Sequence, residues 1–157
     1  TVDVGPVIDD RALARIVAAV DDAVAGGGSK LCGALPTKRV LPPIVVENAP
    51  ADSTLMKNEI FGPVCTLEAF ADDDDAIAAV NASRFGLQCG VFTADVKALF
   101  RYADALDVGA VVHDDAPTFR ADHMPYGGVK DSGVGREGLP WSLAHYLEPR
   151  TLVIRTR

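Results

Sequence analysis

Cysteine is scarce in this chain. Cys32, Cys65 and Cys89 are the only three, an odd count without the close spacings that gather ligands around a metal. That argues against a disulfide framework and fits reduced thiols. Positive charge is short as well: 15 Lys and Arg face 22 Asp and Glu, for a net charge of −7 and a pI near 4.8. Such a surface repels phosphate backbones, so no nucleic-acid partner is expected. No apolar run approaches the roughly 20 residues that span a bilayer, and no charged-then-apolar leader precedes Thr1. No membrane partner is expected, and a cytoplasmic location is the simplest inference. There is no internal repeat and no low-complexity segment.

What is present suits a folded α/β chain. With 157 residues and 48% hydrophobic content, one respectable core can be buried. The first residue is not Met, which fits a processed, engineered or proteolysed piece of a longer polypeptide. Asp9 or Asp10 can cap a helix whose Leu13, Ile16, Val17, Val20 and Val24 recur at helical spacing, and Gly26-Gly27-Gly28 ends it. Lys30 to Gly33, Ile44 to Val46, Val64 to Phe70, Gln88 to Phe92 and Ala110 to Val112 read as strands. Asp72 to Asp75 precede a helix, where acids satisfy free amides and the dipole. Thr93 and Asp95 open another, with Val96, Leu99, Phe100, Ala103 and Leu106 on one face. A last helix is expected from about Glu137 to Tyr146.

Strands alternating with amphipathic helices predict an α/β fold: a mostly parallel sheet with helices on both faces. Arg150 to Arg155 reads as a terminal strand that lacks a partner edge, so homo-oligomer formation by strand addition is expected there.

One short stretch carries chemistry. In Glu59-Ile60-Phe61-Gly62-Pro63-Val64 an acid and an aromatic stand two residues apart beside a turn-prone Gly-Pro. An extended backbone would project both to one face. A carboxylate can accept two hydrogen bonds from a vicinal diol and a phenyl ring can stack on a planar heterocycle, so the pair could hold a ribose with its base. The plainer alternative is a strand start with a core Phe.

Two other patterns compete for attention. Gly133-Val134-Gly135-Arg136-Glu137-Gly138 spells the dinucleotide fingerprint, but no apolar strand precedes it, and the residues from 139 to 157 are too few for a unit of about 30. A glycine-rich loop that lets backbone approach backbone is the better account. His113, Asp115 and His123 offer nitrogen and oxygen ligands for a metal-dependent hydrolase, a minority reading because unspaced His/Asp clusters usually lie in solvated loops.

The hexapeptide has company. Gly5-Pro6-Val7-Ile8, Gly86-Leu87-Gln88-Cys89-Gly90-Val91-Phe92-Thr93, Met124-Pro125-Tyr126-Gly127-Gly128-Val129-Lys130-Asp131-Ser132-Gly133-Val134-Gly135-Arg136-Glu137-Gly138 and Glu148-Pro149-Arg150 follow one another in an order that resembles the aldehyde dehydrogenase superfamily. The resemblance covers nearly the whole chain. It implies the C-terminal part of that family's catalytic domain over residues 1–148 and a terminal oligomerisation strand over 149–157. It implies oxidation of a small-molecule aldehyde to an acid, with NAD or NADP as cofactor. In that family a cysteine thiolate attacks the carbonyl, hydride passes to the nicotinamide, and a glutamate activates water to release the thioester. Glu59 takes the position that hydrogen-bonds the nicotinamide ribose, and Phe61 the one that packs on the nicotinamide side. Tyr126 matches an aromatic of the substrate funnel, with Arg120 nearby, where an arginine suits a small anionic aldehyde.

The resemblance also marks departures. The family's nucleophile lies upstream of the Gly-Pro-Val-Ile element, where this chain has only Thr1 to Val4, and the general base and Rossmann domain lie further upstream still. The three cysteines read as buried structural thiols, so no catalytic residue is assigned and the isolated chain is expected to be inactive. His113 stands where the family commonly has asparagine. A non-catalytic oligomerisation module is the further alternative.

Overall fold

Asp9 caps the first helix, its Oδ1 accepting from the Ala12 amide at 2.6 Å. The computed structural model describes residues 4–156, divided into two compact units at 71/72. The ends of the two expected segments, residues 1–3 and 157, lie outside the described residues.

In the first unit, α1 (Asp10–Ala25) buries Ile16, Ala19, Val20 and Ala23 along one stripe, the face its spacing predicts, while Val24 stays partly exposed. The chain turns at Gly26 and enters β1 (Ser29–Cys32), then β2 (Ile44–Glu47) after the proline-bearing connection. Ile44 and Val46 alternate inward on β2, as a strand packed on one face requires. A single turn, α2 (Thr54–Lys57), precedes β3 (Val64–Leu67). The strand order is β1-β2-β3, with β1 antiparallel and β3 parallel to β2. Ile16, Val20, Ala23, Leu41, Ile44, Val46 and Ala49 form the core of this unit.

In the second unit, Asp72 caps α3 (Asp73–Asn81), its carboxylate accepting from the Asp75 amide at 3.0 Å, so the aspartate run serves as a helix start. The short β4 (Phe85–Gly86) leads to β5 (Gln88–Val91), followed by α4 (Val96–Ala105), capped by Asp95, and β6 (Ala110–His113). Arg101 and Tyr102 of α4 reach back to α3: the Tyr102 hydroxyl donates to Asp73 at 2.7 Å, and Arg101 pairs with Asp73 and Asp74. That bond to Asp73 pushes the Tyr102 phenol up from its ordinary pKa, with desolvation adding to it. β7 (Val129–Lys130) and α5 (Leu139–Tyr146) complete the unit, in which Ile77, Val91 and Leu106 are buried.

The α/β class stands, with the longer pairings parallel and shorter antiparallel ones beside them. β2/β3 and β5/β6 are parallel, while β1/β2 and β4/β7 are antiparallel. β1 and β2 are joined without a helix, so the chain returns directly and the pair is antiparallel. The cysteine expectation also needs correction. Cys32 lies on an edge strand exposed along its whole length, and Cys65 is exposed on β3; only Cys89 is partly buried. Residues 150–155 form no strand, and Leu152, Val153 and Ile154 are exposed.

Candidate functional site

The Glu59 loop is shaped by what lies beneath it. Gly62 rides on the buried Ile16 of α1, so closely that a Cβ there would meet Ile16 Cδ1 at 2.6 Å. The Gly62 carbonyl accepts from the Val64 amide at 2.8 Å, and the Pro63 carbonyl from the Ile44 amide at 2.8 Å, which ties the exit of the loop to β2. At its start, Arg15 Nη2 donates to the Ile60 carbonyl at 2.8 Å. Between these anchors Phe61 sits at φ 51°, a left-handed conformation that costs a residue with a Cβ about 1–2 kcal/mol.

That conformation replaces the extended backbone anticipated for the stretch, yet both side chains still face one space. Asn58, Glu59, Phe61, Val64, Cys65 and Thr66 are among the residues lining a cleft of about 500 Å³. Phe61 is 73% exposed, so it is not a core residue. Glu59 is exposed, and among the described residues its carboxylate has no ion pair and no side-chain hydrogen bond. An unpaired acceptor beside an exposed ring is an arrangement that can take two hydroxyls and a flat heterocycle together.

The second pair of candidate residues meets in the other unit. The Arg120 guanidinium lies 4.0 Å from the centroid of the Tyr126 ring, a cation–π contact. Its Nη2 is 3.5 Å from Glu137 Oε2. Glu137 is placed by the backbone: Tyr126 and Glu137 exchange amide-to-carbonyl bonds of 3.0 and 2.6 Å. The glycines around them permit close approach. A Cβ on Gly127 would stand 2.6 Å from the Gly135 carbonyl, and Arg136 Nη1 donates to the Gly128 carbonyl at 3.0 Å. The glycine-rich segment is thus a folded loop against itself. It also lines a cleft of about 520 Å³ with Tyr126, Arg136 and His145.

Of the possible metal ligands His113, Asp115 and His123, the first two are bonded elsewhere. His113 Nε2 is 2.8 Å from the Thr93 carbonyl, which requires a proton on that nitrogen, and Asp115 Oδ1 accepts from the Ala116 amide at 2.7 Å. Among the described residues, no three His, Cys, Asp or Glu groups come together to hold a metal ion. Of the thiols, Cys89 is pushed up by partial burial, away from the thiolate form.

The family model for the aldehyde dehydrogenase family matches residues 1–152. The chain belongs to that family. It is 38% identical over 152 residues to a lactaldehyde dehydrogenase of Methanococcus maripaludis, covering 97% of this chain and 32% of the relative. Among solved structures, aldehyde dehydrogenase 21 of Physcomitrella patens, in complex with the reaction product succinate, superposes with a TM-score of 0.92 at 38% identity, over 98% of this chain and 32% of that one. A glyceraldehyde-3-phosphate dehydrogenase of Methanocaldococcus jannaschii, complexed with NADP, gives 0.83 at 35% identity, over 90% and 30%. The chain therefore spans about a third of the length of these relatives.

The sequence alone does not reach Arg15, Cys65, Thr66 or Glu137 as parts of these surroundings. Cys65 and Thr66 follow the hexapeptide directly, and reading the strand outward from Val64 would have found them. Arg15 has no such signal, because its bond to Ile60 joins residues 45 positions apart.

Proposed function

We propose that this chain contributes the nicotinamide-side wall of an NAD- or NADP-dependent aldehyde dehydrogenase that oxidises a small aldehyde to its acid. The observation that carries the reading is the cleft in which an unpaired Glu59 carboxylate and the exposed Phe61 ring stand together. These residues fit the group: Glu59 would accept from the ribose hydroxyls and Phe61 would pack against the nicotinamide face. Bound NAD or NADP supplies the hydride acceptor; the chain's own residues bind it and orient it. Arg120, held on the Tyr126 ring, is read as a substrate-funnel residue that favours a small anionic aldehyde, a reading supported by the succinate complex of one relative and the phosphorylated substrate named for another.

The isolated 157-residue chain is read as inactive. Cys32 and Cys65 are exposed on short strands, and Cys89 is held toward its protonated form, none of them the family's nucleophile position. The exposed Leu152, Val153 and Ile154 support pairing of the terminal segment with a second subunit, and a cytoplasmic enzyme is the setting we infer. No helix among the described residues is long and apolar enough to cross a membrane.

The test is made in the full-length enzyme carrying this chain. E59Q and F61A should each raise the KM for the dinucleotide about tenfold, the scale of one charge-assisted hydrogen bond or one aromatic contact. Unchanged dinucleotide KM in both variants would contradict the reading.

A further inference from the structure

Phe61 raises a question of support. A phenyl ring exposed to this degree contributes little packing of its own, yet its residue stays in a left-handed conformation that a Cβ disfavours. The constraint has to come from elsewhere. Past Phe61, Gly62 is pressed on Ile16 and the Gly62 and Pro63 carbonyls are both bonded. Before Phe61, the Ile60 side chain packs against the core, the Asn58 amide donates to the Thr54 carbonyl at 3.0 Å, and the bond from Arg15 fixes the Ile60 carbonyl itself.

The carbonyl of Ile60 and the nitrogen of Phe61 belong to one rigid peptide plane. Rotation of that plane changes ψ of Ile60 and φ of Phe61 together. Fixing the oxygen therefore fixes the torsion that presents the Phe61 ring, and also the direction in which the chain leaves Glu59. Released, the chain before Phe61 could turn about φ of that residue toward a negative value while Gly62 and Pro63 stay anchored, which would re-aim the Glu59 carboxylate relative to the ring. Arg15 is exposed on α1, one residue from the buried Ile16, so helix packing holds its base in place while the guanidinium reaches the loop.

We propose that Arg15 is a positioning residue for the dinucleotide: by pinning the Ile60 carbonyl it locks Glu59 and Phe61 in the orientation that receives the nicotinamide riboside. This rests on the reading of the cleft as the nicotinamide wall. Arg15 touches neither cofactor nor substrate in this account and acts only through the loop.

The experiment uses the full-length enzyme carrying this chain, with R15M, R15K, F61A and the R15M/F61A double variant. R15M keeps the apolar stem and removes every donor; it should raise the dinucleotide KM about tenfold while the aldehyde KM and Tm stay near wild type. R15K, which restores one cationic donor, should recover most of that loss. In the F61A background the R15M effect should shrink to about half its factor or less, because one of the two residues through which Arg15 acts has gone. A wild-type KM in R15M, or the same factor with and without Phe61, would overturn the inference. Should R15M lose the fold, R15Q replaces it; if both lose it, Arg15 is a folding residue and the inference is overturned. When E59Q and F61A respond and R15M does not, this inference alone falls. When E59Q and F61A are themselves silent, the reading of the cleft fails and takes the inference with it.

Discussion

The two candidate clusters are built in opposite ways. At the Glu59 loop the side chains are free and the backbone is constrained: an unpaired carboxylate and an exposed ring are held by a left-handed Phe61, a glycine on Ile16 and a guanidinium on a carbonyl. At Arg120 the side chains satisfy one another: guanidinium on ring, guanidinium beside carboxylate, and the two partners of the arginine bridged through their backbones. The first leaves an acceptor open, which on the proposed reading a ligand bringing its own hydroxyls would fill. On the proposed reading, the second would have to exchange an internal partner for an external one, with Glu137 competing against an incoming anion.

The strongest way to break the contrast is to remove the close packing under the second cluster. Gly109 faces the Gly127 carbonyl oxygen with no room for a methyl, so G109A should lower stability by about 3 kcal/mol, read by denaturant unfolding. G62A meets a side-chain methyl rather than backbone and should cost less, about 1–2 kcal/mol, because Ile16 can yield only partly in a filled core. F61G separates backbone from ring. It should leave stability equal or raised by about 1 kcal/mol, through relief of the left-handed strain, while dinucleotide affinity falls. A variant that loses both together would place Phe61 in the packing instead.

At the second cluster, E137Q should change stability by less than about 1 kcal/mol, since both partners of that pair are substantially exposed. The smallest effect concerns the thiols. Cys32 and Cys65 should react first with iodoacetamide, and Cys89 last. Because the Cys89 pKa is raised on folding, the native state holds its proton more tightly. Its contribution to stability is present below the ordinary thiol pKa and declines as pH rises beyond it. Labelling of Cys89 at the same rate as Cys65 would contradict the burial described.

Local signals made much of this legible from the chain. Asp9, Asp72 and Asp95 cap helices because a cap needs only its own residue and an amide two or three positions on. The apolar stripe of α1 is likewise a local period. That Glu59 and Phe61 line one cleft could be anticipated from their spacing, but not the left-handed Phe61, because the residues on either side of it contact Arg15 and Ile16 of another element. Two-residue strands such as β4 and β7 carry no periodicity, and α2 has too few apolar residues to announce itself. Cysteine type did not predict exposure on edge strands, because burial is settled by what covers a strand rather than by the residue.

The most direct measurement is a crystal structure of the full-length enzyme carrying this chain with NAD or NADP bound. Glu59 carboxylate oxygens are expected about 2.7 Å from the hydroxyls of the nicotinamide ribose, with the Phe61 ring on the nicotinamide side. A bound dinucleotide whose nicotinamide ribose lies away from Glu59, with the Phe61 ring in solvent, would contradict that placement.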